Sequence, residues 1–371
     1  MARVAVAVIG SHSALDVCRG AKDEGLATIV IVEEGRDKTY AKYFKTTSRS
    51  PSASSGPTGC VDEVLYVDKF KDILDPRFQK ILKAKNAIFI PHRSFEVYIG
   101  DYDAIEKDFK IPIFGNRFLL RAEERTEERN QYDILKTAVI RFPKIYQNPQ
   151  EIDRLVIVKV PEKQRGFERA FFLANSPTSY QQRARILIKE GKITKKDLDA
   201  ATIEEFVLGV QVNFNFFYSP ILNRLELIGT DTRRQTNLEG FLKLPASEQL
   251  SINDQQFFDI KYEEAGHIAV TTLESMLEGA FEAGEKFVAA AKNMYPPGVI
   301  GPFSLQSVIT PGPPKKEIVV FDVSPRMPGS PGIFATPYSG YLFGQSISMG
   351  RRVAMEIKTA IRSGKLKKVT T

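Results

Sequence analysis

The stretch "VVFDVSPRMPGSP" (residues 319–331) ends an apolar, strand-like run with an acid, a hydroxyl and a guanidinium at alternate positions: Asp322, Ser324 and Arg326. Alternate residues of a strand share one face, so the three groups would be presented toward one place. Shortly before it, "IGPFSLQ" (300–306) supplies Gln306 on what reads as the adjacent strand. Mg²⁺ keeps several waters and takes only one or two protein oxygens beside phosphates, so Gln306 and Asp322 suffice for a metal-bound nucleotide. An ordinary strand end with solvated polar residues is the competing explanation. The rest of the chain must decide between them.

Lys159 stands inside "VIVKV", an otherwise apolar strand. A strand-end lysine that snorkels to water is common; a point charge for nucleotide phosphates is the alternative, and the company Lys159 keeps favours it. Further on, "IEEFV" (203–207) offers acceptors and backbone groups to an adenine edge at a hinge. Near the N-terminus, "IGSHSALD" places Gly10, Ser11, His12 and Ser13 between a parallel strand and a helix N-terminus, where free N–H groups and the helix dipole attract anions. The glycine spacing of a dinucleotide fingerprint is absent. Either His12 donates to a phosphate, or Ser13 merely caps the helix and His12 is a solvated turn residue; the turn alone leaves both open. "PHRSF" sets His92, Arg93 and Ser94 at the same carboxyl edge of the same sheet, where ligands of open α/β sheets gather. That shared edge favours the ligand reading of both turns.

The elements that must position these residues can be read in order. "ARVAVAVIG", "SHSALDVCRGAKDEG" and "LATIVIVEEGR" read as strand, helix, strand, the start of a parallel sheet; "NAIFIPH" (86–92) and "IPIFGN" (111–116) read as two more short strands. Between them "TSRSPSASSGPTG" (47–59) reads as a mobile surface insertion. "RAEERTEERNQYDILKTA" reads as one charged helix, and two strands then flank the loop "PEKQRGFERAFF". A polar helix pair (177–200), alternating antiparallel strands from "TIEEFVLGVQVNFNFFYSP" and "RLELIGTDTRRQTN", and an amphipathic helix over 271–293 follow. The order is an α/β domain, a small mixed domain and a larger antiparallel α+β domain. The 371 residues can bury a substantial core, and 43% apolar with 26% charged residues fits a globular, enzyme-like class. No run approaches the roughly 20 apolar residues of a membrane helix, so a cytoplasmic protein without a membrane partner is expected. Cys18 and Cys60 have no metal-ligand spacing, which argues against thiol chemistry. The net charge of +7 is scattered among 45 acids, which favours phosphorylated small molecules over nucleic acid.

A lysine on a strand, a Glu-rich hinge and an acid-x-polar-x-arginine strand end form the order seen in ATP-grasp enzymes, whose last element usually reads E-x-N-x-R. With "GVQVNFNFFYSP…LELIGTDTRRQTNLEG", "IFIPHRSF", "IPIFGN", "IGPFSLQ" and "GSHSALD…GAKDEG", nearly the whole chain resembles the archaeal formate-dependent 5-formaminoimidazole-4-carboxamide ribonucleotide synthetases of purine synthesis. The resemblance implies an N-terminal open parallel α/β (pre-ATP-grasp) domain over 1–121, then a two-part ATP-grasp fold: a small subdomain over 122–206 and a large one over 207–371 carrying the metal and catalytic site. It implies a ligase that phosphorylates formate with ATP and transfers the formyl group to the amine of an imidazole carboxamide ribonucleotide on the way to IMP, and a homo-oligomer. Carried over by motif, His12, Ser94 and His267 would hold the ribonucleotide, although the family has an asparagine where His267 stands. Lys144, Lys159, Glu204, Glu205, Val207 and Glu239 would hold ATP. Gln306 and Asp322 would hold Mg²⁺, with Mn²⁺ as a substitute. Lys159 and Arg326 would act on the transferred phosphoryl group.

The chain departs from the family pattern around the substrates. "PEKQRGFERAFF" stands for a glycine-rich "PGAKGGRGYF", so Glu162 and Glu168 would repel phosphates while Arg165 and Arg169 could clamp them. Arg93 stands where "PHGSF" has glycine, and "SPRMPGSP" lacks a "GGTN"-like ending. These changes leave room for a divergent paralogue, either a ligase for another carboxylate and amine or a non-catalytic nucleotide-binding protein.

Overall fold

The structure, a computed structural model, describes residues 4–47, 58–160, 171–236, 238–254, 262–312 and 314–371. Runs rich in β-branched residues build the first sheet from Ala5–Ile9 (β1), Ala27–Glu33 (β2), Glu63–Val67 (β3) and Ala87–Phe89 (β4), parallel in the order β3-β2-β1-β4. β1 is buried along its whole length, as a central parallel strand should be. The expected strand at "IPIFGN" exists only as two isolated bridges, Ile113 to Phe89 and Phe114 to Thr370. Pro112 has no N–H for a ladder and Gly115 turns away at a φ of 118°. Ile113 instead exchanges two backbone bonds of 3.0 Å with Thr371. The expected insertion falls largely on 48–57, outside the described residues; its ends are joined by a Thr47–Thr58 bridge.

The second sheet is antiparallel, β5-β8-β6-β7, from Ile145–Tyr146 (β5), Val156–Lys159 (β6), Phe171–Ala174 (β7) and Thr202–Glu205 (β8). The expected polar helices are Pro177–Lys189 and Lys195–Asp199, capped by Ser176 and Thr194. The third sheet runs β11-β10-β9-β12-β13 through Val210–Ser219 (β9), Arg224–Thr236 (β10), Tyr262–Ala269 (β11), Gly301–Thr310 (β12) and Glu317–Ser324 (β13), all antiparallel. Helix Leu277–Met294 lays Ala280, Phe287, Ala290 and Ala291 into its core.

The charged stretch 121–138 is not one helix. A 3₁₀ turn, Leu120–Glu123, stops, and a helix restarts at Gln131–Thr137. Asn130 is the reason: its side chain accepts from Tyr132 N at 2.9 Å while its own N–H donates to Asp133 at 3.0 Å, a capping box that defines a new start. Leu119, Ala122, Ile134 and Leu135 join the core of the third sheet, so this segment ties itself to the large sheet rather than to β5–β8.

The C-terminal helix Met349–Arg362 returns to the first layer and packs on helix Ala14–Asp23. Two glycines make that approach feasible: a Cβ on Gly20 would lie 2.1 Å from Arg351 N, and one on Gly350 would lie 2.1 Å from Asp16 O. Asp16 also accepts from Gly350 N at 3.1 Å. We expect Gly20→Ala or Gly350→Ala to destabilise the fold by on the order of 3 kcal/mol, because backbone cannot yield as a side chain does. Gly332→Ala, where a Cβ meets nothing within 4 Å, should be close to neutral. Thermal unfolding of the three variants checks the contrast.

Candidate active site

Four chain segments end at one place. The turn after β1 carries Ser11, His12 and Ser13; the turn after β4 carries His92, Arg93 and Ser94; β6 and β8 end in Lys159 and Glu205; β12 and β13 bring Gln306 and Asp322 into register as direct partners. The chain after β13 locks these parts together. Met327 bridges His92, Ser13 Oγ donates to Pro328 O, and Gly329 lies so close to the His12 ring that a Cβ would sit 2.6 Å from Nε2. The segments enclose a cavity of about 970 Å³, lined by residues from all of them. That volume is at the upper end for one small molecule, and its wall runs from Phe206–Leu208 to His12 and Ser94.

At one end Lys159 pairs with Glu204 and is nearly buried. Glu204 also accepts from the Tyr132 hydroxyl. Burial and Arg125 pull the Lys159 ammonium below the ordinary lysine range, against the pull of Glu204 and Asp322. Burial works against the charge on Asp322, but Arg125, Lys159 and Arg233 outweigh it and bring the carboxyl down to about 2. Asp322 Oδ1 accepts from Arg125 at 2.7 Å and from Gln131 at 3.0 Å. Beside it, Gln306 donates to Ser324 Oγ at 3.0 Å, while its buried Oε1 has no hydrogen-bond partner. A buried acceptor without a donor is costly, and here it lies against an ionised carboxylate. An oxygen-seeking cation resolves that cost, so the pair fits Mg²⁺. No group of three or more His, Cys, Asp or Glu suited to a metal occurs among the described residues.

At the other end His12 has a φ of 51°, and its ring stacks on His92 at 5.4 Å. Its ring opens onto the cavity, yet burial, then Arg326 and the neighbouring His92, His267 and Arg233, push its pKa well below the ordinary range, so it is a neutral imidazole. Ser94 Oγ donates to Ser11 Oγ at 2.9 Å. His267 faces the same cavity and is held by Asp231 at 2.5 Å, which Asn213 and Asn215 also hold at 2.9 and 2.6 Å. Arg326 binds Glu123 through two hydrogen bonds, 3.0 and 2.6 Å, and gives its third arm to Met327 O.

Of the residues the sequence singled out, the cavity wall therefore brings together His12, Ser94, Lys159, Glu204, Glu205, Val207, His267, Gln306, Asp322 and Arg326. Two are not brought in. Lys144 is half exposed on the outer side, over the Tyr146 ring at 4.4 Å and 3.5 Å from Asp153; Glu239 pairs with Arg234 at 3.3 Å. Both are turned to local partners, and neither lines the cavity. The loop with Glu162, Arg165, Glu168 and Arg169 lies outside the described residues. Sequence reading missed Arg125, Tyr132, Glu123 and Asp231. Arg125 and Glu123 were hidden in a charge run that reads as a solvated helix face. Asn213 and Asn215, alternating with phenylalanines in "NFNFF", were the visible signal that one face of β9 is polar and buried.

Residues 6–146 match a family described as a protein of unknown function (DUF1246), and residues 179–371 match a domain of unknown function (DUF1297). A 5-formaminoimidazole-4-carboxamide-1-(beta)-D-ribofuranosyl 5'-monophosphate synthetase of Methanopyrus kandleri is 38% identical over 369 residues, 99% of this chain and 95% of that protein. The chain belongs to this synthetase family. The crystal structure of an IMP biosynthesis protein PurP from Thermococcus kodakaraensis is similar with a TM-score of 0.70 at 28% identity, over 99% of this chain and 100% of that one. The biotin carboxylase domain of a Hydrogenobacter thermophilus 2-oxoglutarate carboxylase, solved with MgADP, ADP and bicarbonate, shares the fold alone: TM-score 0.56, 14% identity, 94% of this chain and 69% of that one. The synthetase family has the ATP-grasp fold, and this member is a ligase of that class with the expected α/β domain ahead of it. No helix is long and apolar enough to cross a membrane among the described residues.

The neutral histidines of this synthetase give a pH test. His92 is fully buried, donates Nε2–H to Ile9 O at 2.9 Å, and burial brings its pKa down to about 4. An unfolded histidine takes a proton near 6.5, so below that pH protons favour the unfolded chain and stability falls until about pH 4. The loss across that window is on the order of 3 kcal/mol. His92→Gln keeps a donor for Ile9 O but cannot titrate. Urea midpoints at pH 7 and pH 4.5 should fall less for the variant than for wild type; equal falls would mean that His92 carries none of the acid sensitivity.

Proposed function

We propose that this chain joins formate to the 5-amino group of 5-aminoimidazole-4-carboxamide ribonucleotide, splitting ATP to ADP and phosphate through formyl phosphate. The observation that supports this reading is one continuous cavity with a phosphate- and metal-type wall of Lys159, Gln306 and Asp322 at one end and His12, Ser94 and His267 at the other. The name carried by the Methanopyrus kandleri relative fits those two ends. A formate oxygen attacks the γ-phosphorus and ADP leaves. The amine nitrogen then attacks the formyl carbon, phosphate leaves, and the nitrogen gives up a proton. Formate is a poor electrophile and this ring-conjugated amine a weak nucleophile, which is why activation is needed.

The chain's own residues supply position and charge. Lys159, fixed by Glu204, places a cation at the phosphates; Glu205 to Leu208 line the cavity where an adenine edge can meet backbone groups. Gln306 Oε1 and Asp322 would hold Mg²⁺ or Mn²⁺, which when bound neutralises charge moving onto phosphate oxygens. Neutral His12 and the Ser94 hydroxyl give the ribonucleotide hydrogen bonds without repelling an approaching formyl phosphate. Arg326, engaged by Glu123, contributes a fixed positive field rather than a moving clamp.

An ADP-release assay with formate and the ribonucleotide, omitting each in turn, tests the reading: release should need formate, and the formamide should appear only with both. Release with another carboxylate or amine, but not with these, would replace the substrates. Asp322→Asn should lower ADP formation about a hundredfold or more while ribonucleotide binding stays within twofold. Lys159→Ala should weaken ATP and spare the ribonucleotide, as titration calorimetry would report. Loss of the same ligand in both a His12→Ala and a Lys159→Ala variant would refute the two-ended cavity.

A further inference from the structure

Arg93 is a cation on the cavity wall that is held by ion pairs. Its Nη1 lies 3.5 Å from Glu96 and 3.7 Å from Glu123, both beyond hydrogen-bonding length, and about a third of the side chain is exposed. Glu123 is already bound by Arg326 at 2.6 and 3.0 Å. Glu96 is fully buried, its Oε1 accepts no hydrogen bond, and burial followed by Glu123 pushes its carboxyl up, so it offsets little of the positive charge. Arg93 and Arg326 thus share Glu96 and Glu123, with Glu124 also acting on Arg93. Of the two guanidinium groups, Arg93 is the one that makes no side-chain hydrogen bond to a carboxylate among the described residues.

The neighbours of Arg93 suit a tetrahedral oxyanion. Ser94 and Ser11 bring their hydroxyls together at 2.9 Å on the same wall. A guanidinium held by ion pairs alone and the Ser11 hydroxyl, which already accepts from Ser94, are donors on this wall, and a phosphate has three acceptor oxygens and a double charge.

We propose that Arg93 is the residue that recognises the 5′-phosphate of the ribonucleotide, making this chain selective for the nucleotide over its nucleoside. The assignment rests on the function proposed above. It differs from a formate-binding role, in which the same guanidinium would fork onto a carboxylate near the γ-phosphate end. Arg93 sits on the turn after β4, which Ser94 joins to the turn after β1 through Ser11, whereas Lys159 and Glu205 end β6 and β8; that placement favours the phosphate.

The test is titration of wild type, Arg93→Gln and Arg93→Lys with 5-aminoimidazole-4-carboxamide ribonucleotide, its dephosphorylated riboside, and ATP. For Arg93→Gln we expect ribonucleotide binding to weaken about tenfold to a hundredfold, with riboside and ATP binding within twofold of wild type. Arg93→Lys keeps the charge without the fork and should fall between. Equal weakening of ribonucleotide and riboside would overturn the assignment, as would unchanged ribonucleotide binding with a raised KM for formate. If Arg93→Gln loses ATP binding as well, Arg93→Lys decides: equal losses of nucleotide and riboside in that variant overturn the assignment. Wild type that binds neither ribonucleotide nor riboside would sink the substrate reading itself, and Arg93's role with it.

Discussion

A guanidinium buried without carboxylates would cost far more than a fold of this size can offset, and the site depends on how Arg326 avoids that cost. It leaves the end of β13, crosses to the 3₁₀ turn Leu120–Glu123 to bind Glu123, and comes within 3.6 Å of Glu96 on helix Arg93–Ile99. One side chain therefore fixes the third sheet, the segment before the second sheet and the first sheet relative to one another. Breaking such a pair from one side typically costs about 3–5 kcal/mol, because the partner is left charged and dry. The bridges of Met327 to His92 and of Ser13 to Pro328 follow from that anchoring.

The nucleotide end is ordered by a second chain of alternating charge. Tyr132 and Lys159 hold Glu204; Arg125 and Gln131 hold Asp322; Arg125 also reaches the Tyr132 hydroxyl at 3.2 Å. Each side chain is held by a charged or hydrogen-bonding neighbour. Preorganisation of this kind is what lets fixed charges act on a phosphoryl group with little rearrangement at the moment of reaction. The arrangement also explains why the helix restarts at Asn130: a continuous helix from 121 would carry Gln131 and Tyr132 round to other faces, away from Asp322 and Glu204.

Much of this could be read from the sequence, and the remainder failed for identifiable reasons. Strand patterning located β1, β2, β4, β6, β9, β10, β12 and β13, and the polar residues ending β6, β12 and β13 are the ones the cavity brings together. "IPIFGN" failed because apolar content outweighed Pro112 and Gly115, whose backbone limits decide pairing. Lys144 and Glu239 came from motif resemblance, which carries no information about which local partners a side chain turns to; here these are Asp153 and Arg234. Arg125 and Glu123 were invisible because a surface charge run and a buried charge network have the same composition. Only the tertiary partners, Asp322 and Arg326, distinguish them, and those lie some two hundred residues away.

The two networks differ in one respect that bears on how the ligase can work. At the nucleotide end the cations Lys159 and Arg125 are close to carboxylates, and Asp322 stays ionised because those cations surround it. Any divalent ion that comes to Asp322 must share it with Arg125, and the guanidinium, with its hydrogen bond to Asp322 weakened, then has donors for phosphate oxygens in the same place. Metal and phosphate would thus arrive as complementary charges, each relieving the repulsion the other creates. At the opposite end Arg93 is held by ion pairs of 3.5 and 3.7 Å with Glu96 and Glu123, so an anion could be accepted there with little displacement of existing hydrogen bonds. On the function proposed above, one end would exchange partners on binding and the other would receive one, an asymmetry that suits transforming a phosphate at one end and recognising a phosphate at the other.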